Sequence, residues 1–359
     1  MRISLLFAST LSFAAINAAP GQDPHPTITV GTATARRGET AYGTLNVPAA
    51  SDSGYAISVA VIHGAHPGKV VAFVSGAHGT EYASVVALTR LIAKIDPARL
   101  NGTVIVVPLV NVNSFEQMIV HINPVDRKGM NGGFPGDKAG TQTQRAVAAI
   151  ADQVVAPADI VVDLHGGDID EDLRPYVYWT RVGDAAKDAV THNLALGFGI
   201  DHIIVRDADP AVADRTLGGY ALSQGKLSVV AEAGRSGQVL PVDVDALVNG
   251  CLNVLGNSKL YGRIAKPVAH PVYITAGTRV RASTPSMWYP LVVRDSKVTQ
   301  GQVLGYTTDY VGRRISEIKS PVAGLVTFIR TVPSAPRGGT LANVSEILPG
   351  VLPWKKPEQ

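Results

Sequence analysis

The sequence predicts an α/β fold: a largely parallel sheet covered by helices on both faces, followed by a small all-β unit. Three observations carry this. Between residues 56 and 260, apolar runs of strand length alternate with longer runs of helical spacing, as in a chain of β–α units. Several of the strand-like runs are apolar throughout, which suits strands buried on both faces. From Lys266 the helical spacing stops, and short β-type runs separated by Gly, Pro and Ser continue to Leu348.

In chain order, residues 56–62 alternate as a strand and 69–74 form a continuous apolar strand. Residues 84–95 have helical spacing, with Val85, Leu88, Ile92 and Ile95 on one side and Pro97 as the stop. A buried-type strand follows at 103–110, a helix at 141–155 and a second buried strand at 159–164. Then come a helix at 185–196, strands at 202–206 and 227–231, and a long helix at 244–260. The C-terminal runs are VYITAG, YPLVV, GQVLGYT, RISEIKS and GLVTFIR. In open parallel sheets, sites gather at the carboxyl ends of strands.

Composition narrows the function classes. A chain of 359 residues, 46% hydrophobic, is long enough for one large domain or two smaller ones. Net charge is only +3 without a long basic run, which argues against non-specific nucleic-acid binding. After the N-terminus, no segment is apolar enough to span a bilayer. The N-terminus itself reads as an export signal: Arg2, a short apolar stretch at 3–16, then small Ala18 and Ala19. Pro20 disfavours cutting after Ala19, so cleavage is expected after Ala18, giving a periplasmic or secreted protein. The expected division is residues 1–18 as signal, 19–265 as the catalytic region and 266–359 as the β unit. Cys251, the single cysteine, lies in the apolar run LVNGCLNVL and reads as a buried, inert thiol.

Three strand ends carry metal-ligand chemistry. In SGAHGTEYAS an apolar strand runs into His78, and Glu81 follows three residues later as a helix begins. In VVDLHGGD, His165 ends a buried strand, and in VVAEAGRSG, Glu232 does the same. Two imidazoles and a carboxylate form a catalytic zinc set that leaves a fourth position for water. A second carboxylate nearby suits transfer of that water's proton to a leaving nitrogen. An H-x-x-E pair is weak alone, and a histidine at a strand end is more often structural. The set is stronger, because all three motifs fall at the ends of apolar strands and are flanked by small residues.

The ordered motifs GAHGTE, then Pro-x-Asp and Asn-Gly-Gly-Phe-Pro-Gly, then DLHGGD, then EAG resemble the succinylglutamate desuccinylase/aspartoacylase family, within the zinc carboxypeptidase-like hydrolases. The resemblance spans roughly residues 70–237. It implies one zinc ion per chain on His78, Glu81 and His165, with Glu232 as general base and acid. It also implies a carboxypeptidase-like mixed sheet with helices on both faces. The family's pattern is R-x-x-P-x-D followed by N-R-x-F-P-G. His121 stands at the first arginine position and Gly132 at the second. In the family these arginines polarise the scissile carbonyl and hold a substrate carboxylate, and neither His nor Gly reproduces a guanidinium fork. His121, expected to be neutral above about pH 6.5, and Arg127 are therefore counted with Glu232 as catalytic candidates. Asn131, Arg174, Tyr176 and Arg235 are the substrate-binding candidates. Small dicarboxylic substrates are expected to be poor, and bulkier or uncharged acyl groups to be preferred.

GQVLGYT followed by EIKSPVAGLV resembles the lipoyl/biotinyl-like barrel carried by many family members. Lys319 precedes Ser320-Pro321 rather than occupying a hairpin tip, so neither lipoate nor biotin is expected. A lid or assembly role and a passive extension stay equally open. GRSG at Gly234 is not a nucleophile elbow, and MNGGFPG lacks the lysine of a phosphate loop. His25, His63, His66, His192, His202 and His270 read as surface or core residues. The acidic run Asp168, Asp170, Glu171 and Asp172 reads as a solvated loop, or as a rim for a cationic substrate. The leading functional reading is a zinc amidohydrolase acting on a small N-acylated substrate. A peptidase of the same chemistry and a non-catalytic binding protein on the same scaffold are the alternatives.

Overall fold

The computed structural model describes residues 25–209 and 214–350. The expected signal segment lies outside them. The order begins with the hairpin β1 (Thr27–Val30) and β2 (Ala33–Arg36), then β3 (Glu39–Val47), β4 (Tyr55–His63) and β5 (His66–Ser75). Helix α1 (Tyr82–Ile92) leads to β6 (Asn101–Val107), α2 (Val112–Gln117) and α3 (Gln142–Ile150). Next come β7 (Ile160–His165), β8 (Glu171–Leu173), β9 (Tyr176–Arg181), α4 (Ala185–Phe198), β10 (His202–Asp207), α5 (Leu217–Ser223), β11 (Leu227–Glu232) and α6 (Pro241–Asn257).

Nine strands form one sheet, closed at one edge by β12 (Val272–Ile274), in the order β12-β10-β9-β11-β7-β5-β6-β4-β3. The centre, β11-β7-β5-β6, is parallel. Strand β9 runs antiparallel to β11, and β4 and β3 continue antiparallel beyond β6. The sheet is mixed, with its parallel part where the apolar runs predicted it. Period-2 geometry explains the two cores. Val71 and Phe73 pack on one face with α1, α4 and α6, while Ala72 and Val74 pack on the other with α3 and α5. At roughly 25 cal/mol per Å² of apolar area buried, these two faces dominate the favourable side of folding. Cys251 is fully buried in α6.

The remaining strands are β13 (Thr278–Arg281), β14 (Ser286–Pro290), β15 (Lys297–Val298), β16 (Val303–Thr308), β17 (Arg314–Lys319), β18 (Gly324–Arg330), β19 (Ser334–Ala335) and β20 (Thr340–Ser345). They form two small sheets, β13-β20-β18-β15 and β17-β16-β14-β19. Trp288, Leu304, Val326 and Leu341 fill the core between them. The two units exchange strands. The VYITAG run, read with the β unit, supplies β12, which pairs in parallel with β10 of the large sheet. In return β8, which follows His165, pairs with β18 of the C-terminal sheet. Pattern alone marks VYITAG as a strand but not β8, which lies in the acidic run; the partners of both are fixed only when both units are folded.

Candidate active site and metal centre

Strand β5 ends at Ser75, and the chain turns sharply before His78. Gly76 makes the turn at φ 69, and a Cβ there would lie 2.9 Å from Leu109 Cα. Glu81 occupies the N-cap position of α1 but makes no side-chain cap bond. Its carboxylate is thus left for the imidazoles. His78 Nδ1 lies 2.7 Å from Glu81 Oε1, and His165 Nδ1 lies 2.9 Å from Glu81 Oε2. The donor atoms of His78, Glu81 and His165 all fall within 4.8 Å of one another. Asp163 Oδ1 lies 3.3 Å from His165 Nε2 and orients the ring from behind, as carboxylates behind metal-binding histidines do. Burial by itself would raise the Glu81 pKa; the His165 and His78 charges outweigh it and hold the carboxyl at about 2. Burial opposes charging His165, but Asp163 and Glu81 raise it well above the ordinary value. A metal ion binds these imidazoles only in their neutral form, so metal and proton compete for the site.

Strand register places the fourth residue. Glu232 pairs with His165 across β11–β7 and with Tyr176 across β11–β9. Glu232, Tyr176 and the three donors line a common cleft of about 710 Å³. Burial lifts Glu232 to about 7, against the opposing charge of His165. A carboxyl poised there can both take and return a proton near neutrality. Burial also raises the phenols of Tyr176 and Tyr178 well above their usual range, so both remain O–H donors.

His121 also faces this cleft. Its Nδ1 is 2.8 Å from Asp168 Oδ2 and its Nε2 is 3.5 Å from Glu171 Oε1. The expectation of a neutral ring is corrected here. Burial disfavours its charge, but the hydrogen bond and charge of Asp168, with Glu171 and Asp170, raise His121 to about 9. At neutral pH it is a cation where the family pattern has arginine. Asn131 Nδ2 lies 3.4 Å from His78 Nε2. Gly132 beside it has φ 84, and an added Cβ would meet nothing within 4 Å. Backbone conformation, not crowding, thus favours glycine where the pattern has its second arginine.

Three candidate arginines stand elsewhere. Arg127 is exposed in the turn after α2 and does not line the cleft. Arg174 Nη2 lies 3.0 Å from both oxygens of Asp201, and its Nη1 lies 3.1 Å from Asp295 Oδ2. Arg235 Nε points toward Asp243 Oδ2 at 3.7 Å. Carboxylates outside the cleft claim the last two guanidinium groups, which sequence proximity to the motifs does not reveal. The acidic run is also corrected. Asp168 is fully buried, accepting from Thr80 Oγ1 as well as facing His121. Asp170 pairs with Arg330, and Asp172 lies 3.1 Å from Arg294. Protein cations face the run, so it is not a solvated loop, while Glu171, 3.5 Å from His121 Nε2, lines the cleft itself.

The sequence reading missed Arg206, Arg279, Arg281 and Arg330, which line the cleft. Arg206 is the penultimate residue of β10, and the others come from β13 and β18. The only available signal was the alternation T-R-V-R at 278–281, which sets two arginines on one strand face.

The family model for the succinylglutamate desuccinylase/aspartoacylase catalytic domain matches residues 67–257. The N-alpha-acetyl-L-2,4-diaminobutyric acid deacetylase of Halomonas elongata is 26% identical over 290 residues, covering 78% of this chain and 83% of the relative. Among solved structures, the succinylglutamate desuccinylase/aspartoacylase of Rhodobacter sphaeroides superposes with a TM-score of 0.77 at 25% identity, over 87% of this chain and 96% of that one. The product-bound ectoine utilization protein EutE (DoeB) of Ruegeria pomeroyi has the same fold, with a TM-score of 0.78 at 21% identity over 90% of this chain and 100% of that one. Motif order, sheet architecture and the match over residues 67–257 agree: the chain belongs to the succinylglutamate desuccinylase/aspartoacylase family.

Proposed function

We propose that this protein is a zinc-dependent deacylase that hydrolyses the amide bond of an N-acyl amino acid. The observation that carries this is the convergence of His78, Glu81 and His165, with Glu232 in register beside His165. The donor set fits zinc: two imidazole nitrogens and one carboxylate, buried or half-buried, with Asp163 orienting His165. A bound zinc ion would supply Lewis-acid chemistry to water and the amide carbonyl.

The chain's own groups do the rest. Glu232 takes the proton of the attacking water and hands it to the departing nitrogen. Its pKa of about 7 suits both directions. His121, held as a cation by Asp168, faces the cleft as the group that stabilises charge developing on the carbonyl oxygen. Tyr176, beside Glu232, keeps its phenolic proton and can donate to substrate. Asn131, next to His78, offers an amide rather than a charge, which suits an uncharged acyl group.

The large sheet is read as carboxypeptidase-like and the C-terminal unit, within residues 266–359, as a lipoyl/biotinyl-like barrel. The two small sheets around Trp288 support the latter. Export is supported by Arg2, the apolar stretch at 3–16 and Ala18. Finding the protein uncleaved in the cytoplasmic fraction would count against export. Among the described residues no helix is long and apolar enough to cross a membrane.

The test is hydrolysis of N-acetyl-L-2,4-diaminobutyrate, with a panel of other N-acyl amino acids and short peptides, by the purified protein. Release of acid and amine, zinc near one per chain and loss of activity to a chelator are expected. Full activity in metal-free protein, or no hydrolysis of any acyl amino acid, sinks the reading.

A further inference from the structure

Arginine is where the cleft departs from the sequence-based expectation. The segment at Asn131–Gly132 has no cationic side chain, and Arg127, Arg174 and Arg235 are directed elsewhere. The C-terminal unit brings its own. In β13, Arg279 and Arg281 are exposed and both line the cleft, while Val280 between them packs against the core around Trp288. This is the in-and-out alternation of a strand, with both guanidinium groups on the cleft side.

Their partners distinguish them from the other cleft arginines. Arg206 Nη2 lies 3.0 Å from Asp214 Oδ2, and Arg330 pairs with Asp170. Among the described residues no carboxylate pairs with Arg279 or Arg281. Arg281 donates to the Gly338 carbonyl at 2.8 Å, and Arg279 makes no side-chain hydrogen bond. An exposed, unpaired arginine is ordinarily just solvated. Here two stand together on the wall of a concave site. Of the acids lining the cleft, Glu81, Asp163 and Glu171 face imidazoles and Glu232 lies beside His165 in the strand ladder, and none of them pairs with either arginine. A cleft wall with two uncompensated cations attracts an anion, and a guanidinium fork matches a carboxylate.

We infer that Arg279 and Arg281 form a carboxylate-binding subsite in this cleft, so that the C-terminal unit grips the substrate's carboxylate while the inner residues cleave its amide. This rests on the deacylase reading for the substrate class. It gives the C-terminal unit a direct part in specificity, in place of a lid or a passive extension. The carboxylate belongs either to the amino acid or to a dicarboxylic acyl group.

The experiment separates these sources and separates this inference from the deacylase reading. Full-length protein carrying Glu232→Gln, with or without Arg279→Gln and Arg281→Gln, is titrated calorimetrically. The probes are N-acetyl-L-2,4-diaminobutyrate, its carboxylate-free counterpart N-acetyl-1,3-diaminopropane, and N-succinyl-1,3-diaminopropane. With both arginines present, one carboxylate-bearing probe binds about 10–100-fold tighter than the carboxylate-free one, the range for one or two charge-assisted hydrogen bonds. With both replaced by Gln, that ratio collapses toward one. Tighter binding of the first probe assigns the amino-acid carboxylate, and of the third the acyl carboxylate. A ratio near one with the arginines present, or a preference that survives their replacement, overturns the inference. Unchanged melting temperature and zinc content in the double variant establish that the fold is intact. Hydrolysis by the unsubstituted chain is read separately. Arginine-dependent binding without hydrolysis sinks the deacylase reading and leaves the subsite standing.

Discussion

At the inner end of the cleft, His78, Glu81, His165 and Glu232 sit at adjoining strand ends of one sheet. The outer wall is made by Arg279, Arg281 and Arg330, from strands that begin after α6. The inner residues are buried or half-buried, His165 and Glu232 in the β7–β11 ladder and His78 and Glu81 in the turn from β5 into α1, and they answer to short local motifs. Of the outer residues Arg279 and Arg281 are exposed; all three answer to no motif and reach the cleft only because the two units are stitched together by β8–β18 and β10–β12. On the proposed roles, chemistry that tolerates little misplacement is built on the rigid sheet and recognition is left to the attached unit.

The largest effects are expected at the proposed metal donors. Replacing His78 or His165 with Ala leaves two protein ligands, and zinc and turnover should both be lost. Elemental analysis after dialysis checks this, and zinc retained near one per chain would refute the donor assignment. Glu232→Gln should keep the metal and slow kcat by about 10²–10⁴-fold, the range for losing a general acid/base. Steady-state kinetics with wild-type-like kcat would remove that role.

His121 sharpens the border between the two regions. His121→Ala removes the cation opposite buried Asp168 and should lower kcat by about 10²-fold, the cost of one oxyanion-stabilising group. A change confined to KM would mean that His121 only binds. Arg330→Ala tests the outer region through stability. It strands the Asp170 carboxylate, one oxygen of which already lacks a hydrogen-bond partner, and should cost about 1–3 kcal/mol. Urea unfolding measures this, and an unchanged midpoint would show that the pair contributes nothing to holding the two units together. Arg127→Ala should matter least. It is exposed and outside the cleft, so stability should stay within about 0.5 kcal/mol. A large loss in kcat/KM would restore Arg127 as a catalytic candidate.

The α/β class, the parallel centre of the sheet and the four inner residues were all legible before folding. Each is encoded locally: apolar period, strand length, a small residue beside a histidine. Strands β3 and β9 escaped notice because Glu39–Val47 is polar on one side and Tyr176–Arg181 follows a charged segment, so neither reads as a buried run. The acidic run after His165 was misread for a related reason. A row of carboxylates looks solvated until Arg330, Arg294 and His121 arrive from distant positions to face it.

By itself, then, the sequence determined what is short-range: which apolar segments become the central strands, that His165 and Glu232 end two of them, and that His78 and Glu81 lie in the turn from a third into a helix. The tertiary structure alone decided which charges meet. Arg174 and Arg235 lie near the motifs yet are spent on Asp201, Asp295 and Asp243, whereas Arg279 lies far along the chain yet faces the cleft unpaired. The reason is physical. Strand formation follows from a period written into neighbouring residues, but a long flexible cation takes whatever partner the packed surfaces bring within reach, and only the docking of β12 and β8 sets those surfaces together.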